Sequence, residues 1–345
     1  MIVSLLLLLP LTYNLLYSMV ATDNKVLIGL KFYIVLLSLG LAYFVRVERN
    51  ALKWFVKICL LQVVVMIGIY IFILTFFDEK TYLSLRLFFV ESGWGDIYTF
   101  DGLFYRIQIK GSALLVIALI LSLEIDLFKK KYFVAAFLLL GIVLAGNFAF
   151  LMGLSVYVFY KMFSLKSSRS VDRYLFKIAC CVTFLAVMAP YIYQYTTSII
   201  ELKEDFSLLA RRDQIKVLWY NLGETPFSLL LGQGLGNTLN VVTPVRDYTD
   251  SVYFEVQGLY IINQLGILFF LCFIVYNVIV MILHWGKNID EVYLVYLVYI
   301  IYSTTNPYIF DTNHFVVIIV LNSWIYIKRE IKKDEARNSC GCSTV

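Results

Sequence analysis

Long apolar runs recur along the whole chain, and they constrain its fold more than any other feature. A helix needs about 20 apolar residues to cross the ~30 Å hydrocarbon core of a bilayer. Runs near this length recur from residue 2 to residue 327, with polar loops between them. Of the 345 residues, 61% are hydrophobic and only 15% are charged, a balance that no water-soluble globular domain of this size would have. The sequence therefore predicts an all-α polytopic membrane protein.

The apolar runs divide into about ten predicted transmembrane helices. We place them at residues 2–20, 26–45, 54–77, 106–128, 132–145, 148–163, 174–193, 256–283, 292–306 and 313–327. The first run lacks the basic start and small-residue cleavage site of a signal peptide, so we expect it to remain as the first span. The resulting regions are N-terminal helices in 1–193, a large loop in 194–255, C-terminal helices in 256–327 and a tail in 328–345.

Short loops rich in lysine and arginine predict the orientation of these helices. Excess positive charge lies in residues 46–53, 129–131, 161–173 and 328–337. Because such loops stay on the cytoplasmic side, an even number of spans places both termini in the cytoplasm. The longer loops, 78–105 and 194–255, then lie outside. The larger of the two, 194–255, is the one large external loop that the sequence predicts.

The large loop contains a predicted amphipathic helix within the sequence SLLARRDQIKVLWYNLGETP, residues 207–226. Arg212, Lys216 and Trp219 are spaced i, i+4 and i+7 and therefore share one face, with Arg211 beside it. Arginine side chains bind phosphate oxygens through paired hydrogen bonds, which favours a lipid-linked phosphate or pyrophosphate as ligand. Anchoring of this helix to anionic lipid headgroups is the alternative explanation.

Three glycines alternate in LLGQGLGNT, residues 230–238. Gly232, Gly234 and Gly236 have the spacing G-x-G-x-G, whereas a dinucleotide-binding turn needs G-x-G-x-x-G between a strand and a helix. We therefore interpret them as residues that shape the loop. They let the backbone turn tightly and approach a bulky ligand or a neighbouring helix closely.

Four further residues outside the membrane core could take part in charge chemistry. Arg246 offers another cation in the large loop, and Glu255 lies where the chain re-enters the membrane. Glu255 can serve as a charge at a helix start or as a general base beside a bound acceptor. Asp311 and His314, at the outer end of the last predicted span, form a second acid–base candidate. His314 could equally be an interfacial residue with no proton to transfer.

Three segments of the chain also match the motif order of a known family. They are RRDQIKVLWYNLGETPFSLLLGQGLGN (211–237), YFEVQGLYIINQLGILFF (253–270) and FYRIQIKGSALLVIALI (104–120). Together they resemble the O-antigen polymerase and O-antigen ligase superfamily. Its ligases usually carry a histidine where this chain has Glu255, which favours the polymerase branch. The segment AGNFAFLMG (145–153) replaces the short SR motif of many members, so no site residue is carried over there.

The resemblance implies a glycosyltransferase that works at the periplasmic face of the bacterial inner membrane. It would move a growing O-antigen, capsule or exopolysaccharide chain from undecaprenyl pyrophosphate to the next lipid-linked repeat unit.

The resemblance also implies the roles of the site residues. The cations expected to hold the departing pyrophosphate are Arg106, Arg211, Arg212 and Arg246. Glu255 is the preferred base, and His314 is the second candidate. Because the arginines can stabilise the leaving anion, we expect no metal and no cofactor. The expected partners are the carrier-linked oligosaccharide and membrane lipids, with a chain-length regulator as a possible addition and no nucleic acid.

Three other functions are compatible with the same features. An O-antigen ligase shares the chemistry and differs in its acceptor. A lipid-linked oligosaccharide flippase also binds the pyrophosphate, but it usually has more spans, an internal repeat and a charged central cavity. The sequence has no internal symmetry, which weighs against this transporter. A scaffold of polysaccharide assembly would not require the arginine cluster.

Overall fold

A computed structural model gives the arrangement of most of the chain. It describes residues 2–22, 24–76, 79–99, 104–163, 209–252, 254–286, 290–304, 306 and 308–340. The predicted span 174–193 and the start of the large loop, 194–208, lie outside the described residues. In chain order the elements are α1 Ile2–Val20, α2 Val26–Leu41, a 3-10 turn Ala42–Phe44, α3 Arg49–Thr75, α4 Glu79–Glu91, β1 Gly95–Tyr98, β2 Arg106–Ile109, α5 Leu114–Glu124, α6 Lys131–Ala145, α7 Phe148–Phe163, α8 Leu209–Leu222, α9 Pro226–Leu231, α10 Gln257–Trp285, α11 Asp290–Thr304 and α12 Thr312–Cys340.

Apolar helices dominate the structure. In the part of the chain that is described, α1, α2 with its 3-10 turn, α3 and α10 are long and apolar enough to cross a membrane. Three shorter apolar helices, α5, α6 and α7, accompany them. The expectation of a helical membrane protein is confirmed at this level. Its finer statement, about ten spans with one periplasmic loop, stays a prediction.

Residues 106–113 correct the predicted fourth span. Instead of starting a helix, Arg106–Ile109 forms strand β2, which pairs antiparallel with β1. Ile107 is buried between partly exposed neighbours, the alternation expected of a strand. The helix α5 that follows has 11 residues, about 16 Å at 1.5 Å per residue. That is about half the ~30 Å hydrocarbon thickness of a bilayer. The hairpin is a small departure from the all-α class.

Helix α5 forms the centre of the bundle. Every residue from Leu115 to Ser122 is buried, and α3, α6, α11 and α12 pack around the helix. Small residues allow close packing elsewhere: a Cβ at Gly141 of α6 would lie 2.3 Å from a methyl carbon of Val63 on α3. Such close approach is typical of helices that associate in membranes.

Helix α10 is interrupted at Gly266. The helix has 29 residues, about 43 Å at 1.5 Å per residue, which exceeds the hydrocarbon thickness. Gly266 has the non-helical angles φ 73° and ψ 165°, and these divide α10 into residues 257–265 and 267–285. The second part is about 28 Å long, close to one membrane crossing.

Charged side chains tie four helices together at one end of the bundle. Lys161 of α7 lies 2.6 Å from Glu124 of α5 and 3.3 Å from Glu291 of α11. Lys328 of α12 pairs with Glu291 as well. Helix α12 continues to Cys340, so the predicted tail from residue 328 begins as the last turns of this helix. We interpret this network as a structural clamp.

Candidate functional site

The predicted helix forms as α8, but its polar and apolar faces are only weakly separated: Ile215 is 45% exposed, whereas the polar Gln214 is buried. The inner face of the helix carries the buried residues Gln214, Leu218 and Leu222 and packs on α10. Leu218 belongs to a small core of buried side chains, whose other members are Leu239, Tyr248, Phe254 and Tyr260. The opposite face carries the exposed side chains Arg212, Lys216, Trp219 and Tyr220. Helix α8 therefore exposes basic and aromatic side chains on one face, while its other face packs against the protein.

Two of the predicted site residues form an ion pair. The Nε atom of Arg211 donates to Oε2 of Glu255 at 2.7 Å. The two side chains are 36% and 30% exposed, so the pair is partly buried at the surface of the protein. Both residues were predicted site residues with separate roles. Their pairing was not predicted, because they are 44 positions apart.

Gln214 holds the backbone beside this pair. Its Oε1 accepts the backbone N–H groups of Glu255 at 2.9 Å and of Val256 at 3.3 Å. Gln214 is fully buried and lies three positions after Arg211, on the same side of α8. One helix therefore fixes both the carboxylate and the backbone of Glu255. Gln214 was not predicted as a site residue, because a neutral amide carries no distinctive spacing in the sequence.

The β1–β2 hairpin brings Arg106 to the same region. Arg106 lies opposite Tyr98 in the hairpin register, and its guanidinium carbon is 5.8 Å from the centre of the Tyr98 ring. Burial raises the pKa of the Tyr98 hydroxyl, the Arg106 guanidinium opposes this rise, and the carboxylates of Asp96 and Glu255 add to it. The charge on Glu255 thus acts on the hairpin. Arg106, Arg211 and Glu255 belong to one electrostatic neighbourhood.

The turn between α6 and α7 makes room for Arg106. Gly146 has the left-handed φ of 58°, and a Cβ there would lie 2.5 Å from Cγ of Arg106. The next residue, Asn147, donates to Oδ1 of Asn306 at 3.1 Å, which links this turn to the end of α11. The segment that stands in place of the SR motif therefore packs against a predicted site arginine.

The three predicted loop-shaping glycines have positive φ angles, 86° at Gly232, 88° at Gly234 and 85° at Gly236. A Cβ at Gly232 would lie 2.1 Å from the backbone oxygen of Gln264, and one at Gly236 would lie 2.5 Å from that of Lys25. Only glycine allows both the backbone conformation and these close approaches. The segment 232–236, here called the glycine segment, is thus a packing element between helices.

The glycine segment supplies hydrogen-bond donors to the carbonyl groups at the break in α10. Backbone N–H groups of Gln233 and Gly234 donate to the carbonyl oxygens of Asn263, at 2.9 Å, and of Gln264, at 3.1 Å. An interruption at Gly266 removes normal helical partners from carbonyl groups just before it. The glycine segment replaces those partners and holds the two parts of α10 in place.

An asparagine cluster connects this segment to α8. Nδ2 of Asn263 donates to the carbonyl oxygen of Leu218 at 3.1 Å and to Oδ1 of Asn221 at 3.0 Å. Nδ2 of Asn237 donates to the Oδ1 atoms of Asn221 and Asn263, both at 3.0 Å. Asn263 is fully buried, and buried amides with satisfied hydrogen bonds rigidify a structure, so the cluster joins the C-terminal half of α8 to α10. No feature in the sequence analysis identified this cluster.

The remaining predicted cations are exposed. Arg212 and Lys216 form no ion pair within the described residues. Arg246 lies over the ring of Tyr248, with its guanidinium carbon 5.9 Å from the ring centre. Tyr248 belongs to the small core beneath α8, which places Arg246 on the same side of the bundle as that helix.

His314 has a different environment from the one its predicted role needs. It is 7% exposed, with Nδ1 2.6 Å from the carbonyl oxygen of Ile309 and Nε2 3.0 Å from the Tyr296 hydroxyl. Because a carbonyl only accepts, Nδ1 carries the proton and Nε2 accepts from Tyr296. Both nitrogens are occupied, and none of the described contacts of His314 reaches Arg211 or Glu255. The structure therefore does not bring His314 to the site.

Comparisons with protein-family profiles, with curated proteins and with solved structures gave no significant match. The structure is that of a helical membrane protein in which Arg211 pairs with Glu255, while Arg106 and Arg246 lie over the rings of Tyr98 and Tyr248. Any more specific function is inferred from these groups and from the resemblance in the loop motifs.

Proposed function

We propose that this protein is a membrane glycosyltransferase that polymerises lipid-linked repeat units. In this proposal it moves a growing glycan from undecaprenyl pyrophosphate to a sugar hydroxyl of the next carrier-linked unit, at the periplasmic face of the bacterial inner membrane. The observation that carries the proposal is the Arg211–Glu255 ion pair, which joins α8 to a residue just before the start of α10.

The cations suit a diphosphate leaving group. Guanidinium groups bind phosphate oxygens through paired, charge-assisted hydrogen bonds. Arg212 and Arg246 are exposed, so their charge is available to a ligand at the protein surface. Arg106 approaches from the hairpin. Such preorganised charge stabilises the negative charge that develops as the carrier leaves.

The reaction requires one bond to form and one to break. The hydroxyl oxygen of the acceptor sugar attacks the anomeric carbon of the donor glycan. The bond between that carbon and the diphosphate oxygen breaks, and the carrier diphosphate leaves with the electron pair. The carboxylate of Glu255 takes the hydroxyl proton.

The ion pair couples donor binding to this base. The donor diphosphate competes with Glu255 for Arg211. When Arg211 turns toward the diphosphate, its guanidinium no longer occupies the carboxylate of Glu255, which can then accept a hydrogen bond from the acceptor hydroxyl. In this proposal Arg211 contacts Glu255 before donor binding and the diphosphate after it.

A reconstituted system tests the proposal. The full-length protein in vesicles receives a synthetic polyprenyl diphosphate bearing one defined repeat unit, and carrier-linked products are separated by length. We expect a ladder of longer glycans and release of free polyprenyl diphosphate. Transfer only to a different acceptor supports a ligase. Movement of the lipid-linked unit across the bilayer without a new glycosidic bond supports a flippase. Either of these two results, or no product at all, would reject the polymerase.

A further inference from the structure

Helix α4 exposes an apolar stripe. Leu83, Leu87 and Val90 are spaced i, i+4 and i+7, and they are 52%, 49% and 51% exposed. Trp94, just past the end of the helix, extends the same stripe and is 57% exposed. Ser84 lies about a quarter turn away. A stripe of this kind on a helix of 13 residues needs a partner that removes it from water.

Another face of α4 is joined firmly to the hairpin. Arg86 forms two hydrogen bonds with the carboxylate of Asp96 on β1, at 2.9 and 3.2 Å. The Tyr82 hydroxyl donates to the carbonyl oxygen of Ile97 at 3.2 Å, and Phe89 is buried. Helix α4 and the hairpin therefore form one unit, and the apolar stripe is a second surface of that unit.

The surroundings of α4 identify what covers the stripe. Helix α3, which can span a membrane, ends at Thr75. The apolar side chains Leu74 and Phe76 near this end are 54% and 61% exposed, as expected of a lipid-facing surface. Helix α4 begins three residues after Phe76, so it starts near this lipid-facing end of α3. With 13 residues, about 20 Å, α4 is too short to span the ~30 Å hydrocarbon core.

We propose that α4 lies along the membrane–water interface, with Leu83, Leu87 and Val90 inserted among the lipid chains and Trp94 at headgroup level. Short amphipathic helices with a tryptophan at the rim bind lipid surfaces in this way. The partner is the bilayer itself. This placement follows from exposed area and from continuity with α3, and it holds whichever side of the membrane α4 occupies.

The placement sets the depth of the candidate site. Because α4 is joined to β1, and β1 pairs with β2, Arg106 would be held near the level of the phosphate headgroups. A diphosphate on a lipid carrier occupies that same depth. This consequence, unlike the placement of α4, rests on the proposed function.

Spin labels test the placement. In a background with the six native cysteines replaced by alanine, Leu87→Cys and Ser84→Cys variants are labelled in lipid vesicles. We expect the label at position 87 to collide with oxygen severalfold more often than with a water-soluble nickel chelate. The label at position 84, which lies between Leu87 and the exposed Phe88 around the helix, should show a smaller preference for oxygen. Equal access of both labels to the nickel chelate would overturn the proposal. Exclusion of both reagents from position 87, with broadening between labels, would overturn it in favour of a second copy of the chain.

A second measurement needs no cysteine-free background. Quenching of tryptophan fluorescence is compared in the unmodified protein and in Trp94→Phe, using lipids brominated near the headgroup. We expect Trp94→Phe to remove a strongly quenched component of the emission. Equal quenching in the two proteins would contradict the interfacial position. Neither measurement depends on glycosyl transfer, so its failure is distinct from failure of the polymerase assay.

Discussion

Gly232 and Gly266 lie so close together that neither position has space for a side chain. A Cβ at Gly266 would be 2.3 Å from the backbone nitrogen of Gly232, and a Cβ at Gly232 would be 2.5 Å from that of Gly266. Both glycines also have positive φ angles. The glycine segment and the break in α10 therefore fit each other at the level of the backbone.

This contact predicts the effect of Gly266→Ala. The substitution forces an alanine into a conformation that only glycine adopts freely and creates the clash with Gly232, so we expect it to destabilise the protein by about 2 kcal/mol or more. The matched control is Gly258→Ala in the same helix, where no atom lies within 4 Å of the added Cβ. Melting temperatures in detergent should fall for Gly266→Ala alone. Equal melting of the two variants would contradict this account of the break.

Glu255→Gln tests the base. The amide keeps the size of the side chain but cannot take a proton, so we expect kcat for glycan transfer to fall about 100-fold or more. The same change removes the Glu255 carboxylate, with which the donor diphosphate would compete for Arg211. Donor binding should therefore be unchanged or tighter, and KM for the lipid-linked donor should not rise. A kcat equal to that of the unmodified protein would remove Glu255 from the reaction.

Arg212→Ala tests the cation on the exposed face of α8. Loss of a charge-assisted hydrogen bond to phosphate should raise KM for the donor about tenfold or more. The control is Arg46→Ala, because Arg46 is also exposed but follows the end of α2 that lies away from the glycine segment. We expect Arg46→Ala to leave KM unchanged. If the two variants behave alike, net charge rather than a diphosphate contact explains the effect.

Gln214→Met tests the positioning of Glu255. The methionine fills a similar volume but cannot accept the backbone N–H groups of residues 255 and 256, so the carboxylate should shift from its place. We expect kcat to fall about 10- to 100-fold, with a smaller change in KM.

The control for this change is Gln264→Met. Gln264 is also buried and accepts a backbone N–H, that of Gly236 at 3.1 Å, but it has no contact with Glu255 within the described residues. It should lower the melting temperature without the fall in kcat. Equal losses of stability and of kcat in the two variants would reduce Gln214 to a structural role.

Sequence periodicity predicted the local elements and not their interruptions. Helix α1 and helix α7 have the bounds that their apolar runs predict, because the length of an apolar run is a local property. The prediction was wrong at Arg106–Ile109, where isoleucines that read as part of an apolar run belong to a strand. Strand formation there depends on pairing with β1, a contact that periodicity does not report. The break at Gly266 was hidden for a similar reason.

The candidate site was predictable as a set of residue types. Arginines in the large loop and a glutamate at the membrane boundary stand out in an apolar sequence, so Arg211 and Glu255 could be named. Their pairing could not, because it joins positions 44 residues apart. Gln214 and the asparagine cluster were missed because neutral amides carry no distinctive spacing. For His314, chemistry alone indicated a proton-transfer group, and only the structure assigns both of its nitrogens to Ile309 and Tyr296.

The way the glycine segment completes α10 also bears on how the chain is assembled in the membrane. An unpaired carbonyl group in hydrocarbon costs several kcal/mol, so the carbonyls of Asn263 and Gln264 need their partners as soon as they leave water. Those partners, Gln233 and Gly234, are synthesised first. In the folded protein the carbonyl oxygen of the next residue, Leu235, accepts from the Ser18 hydroxyl of α1. The residues that hydrogen-bond to the break in α10 are thus synthesised before the break itself enters the lipid.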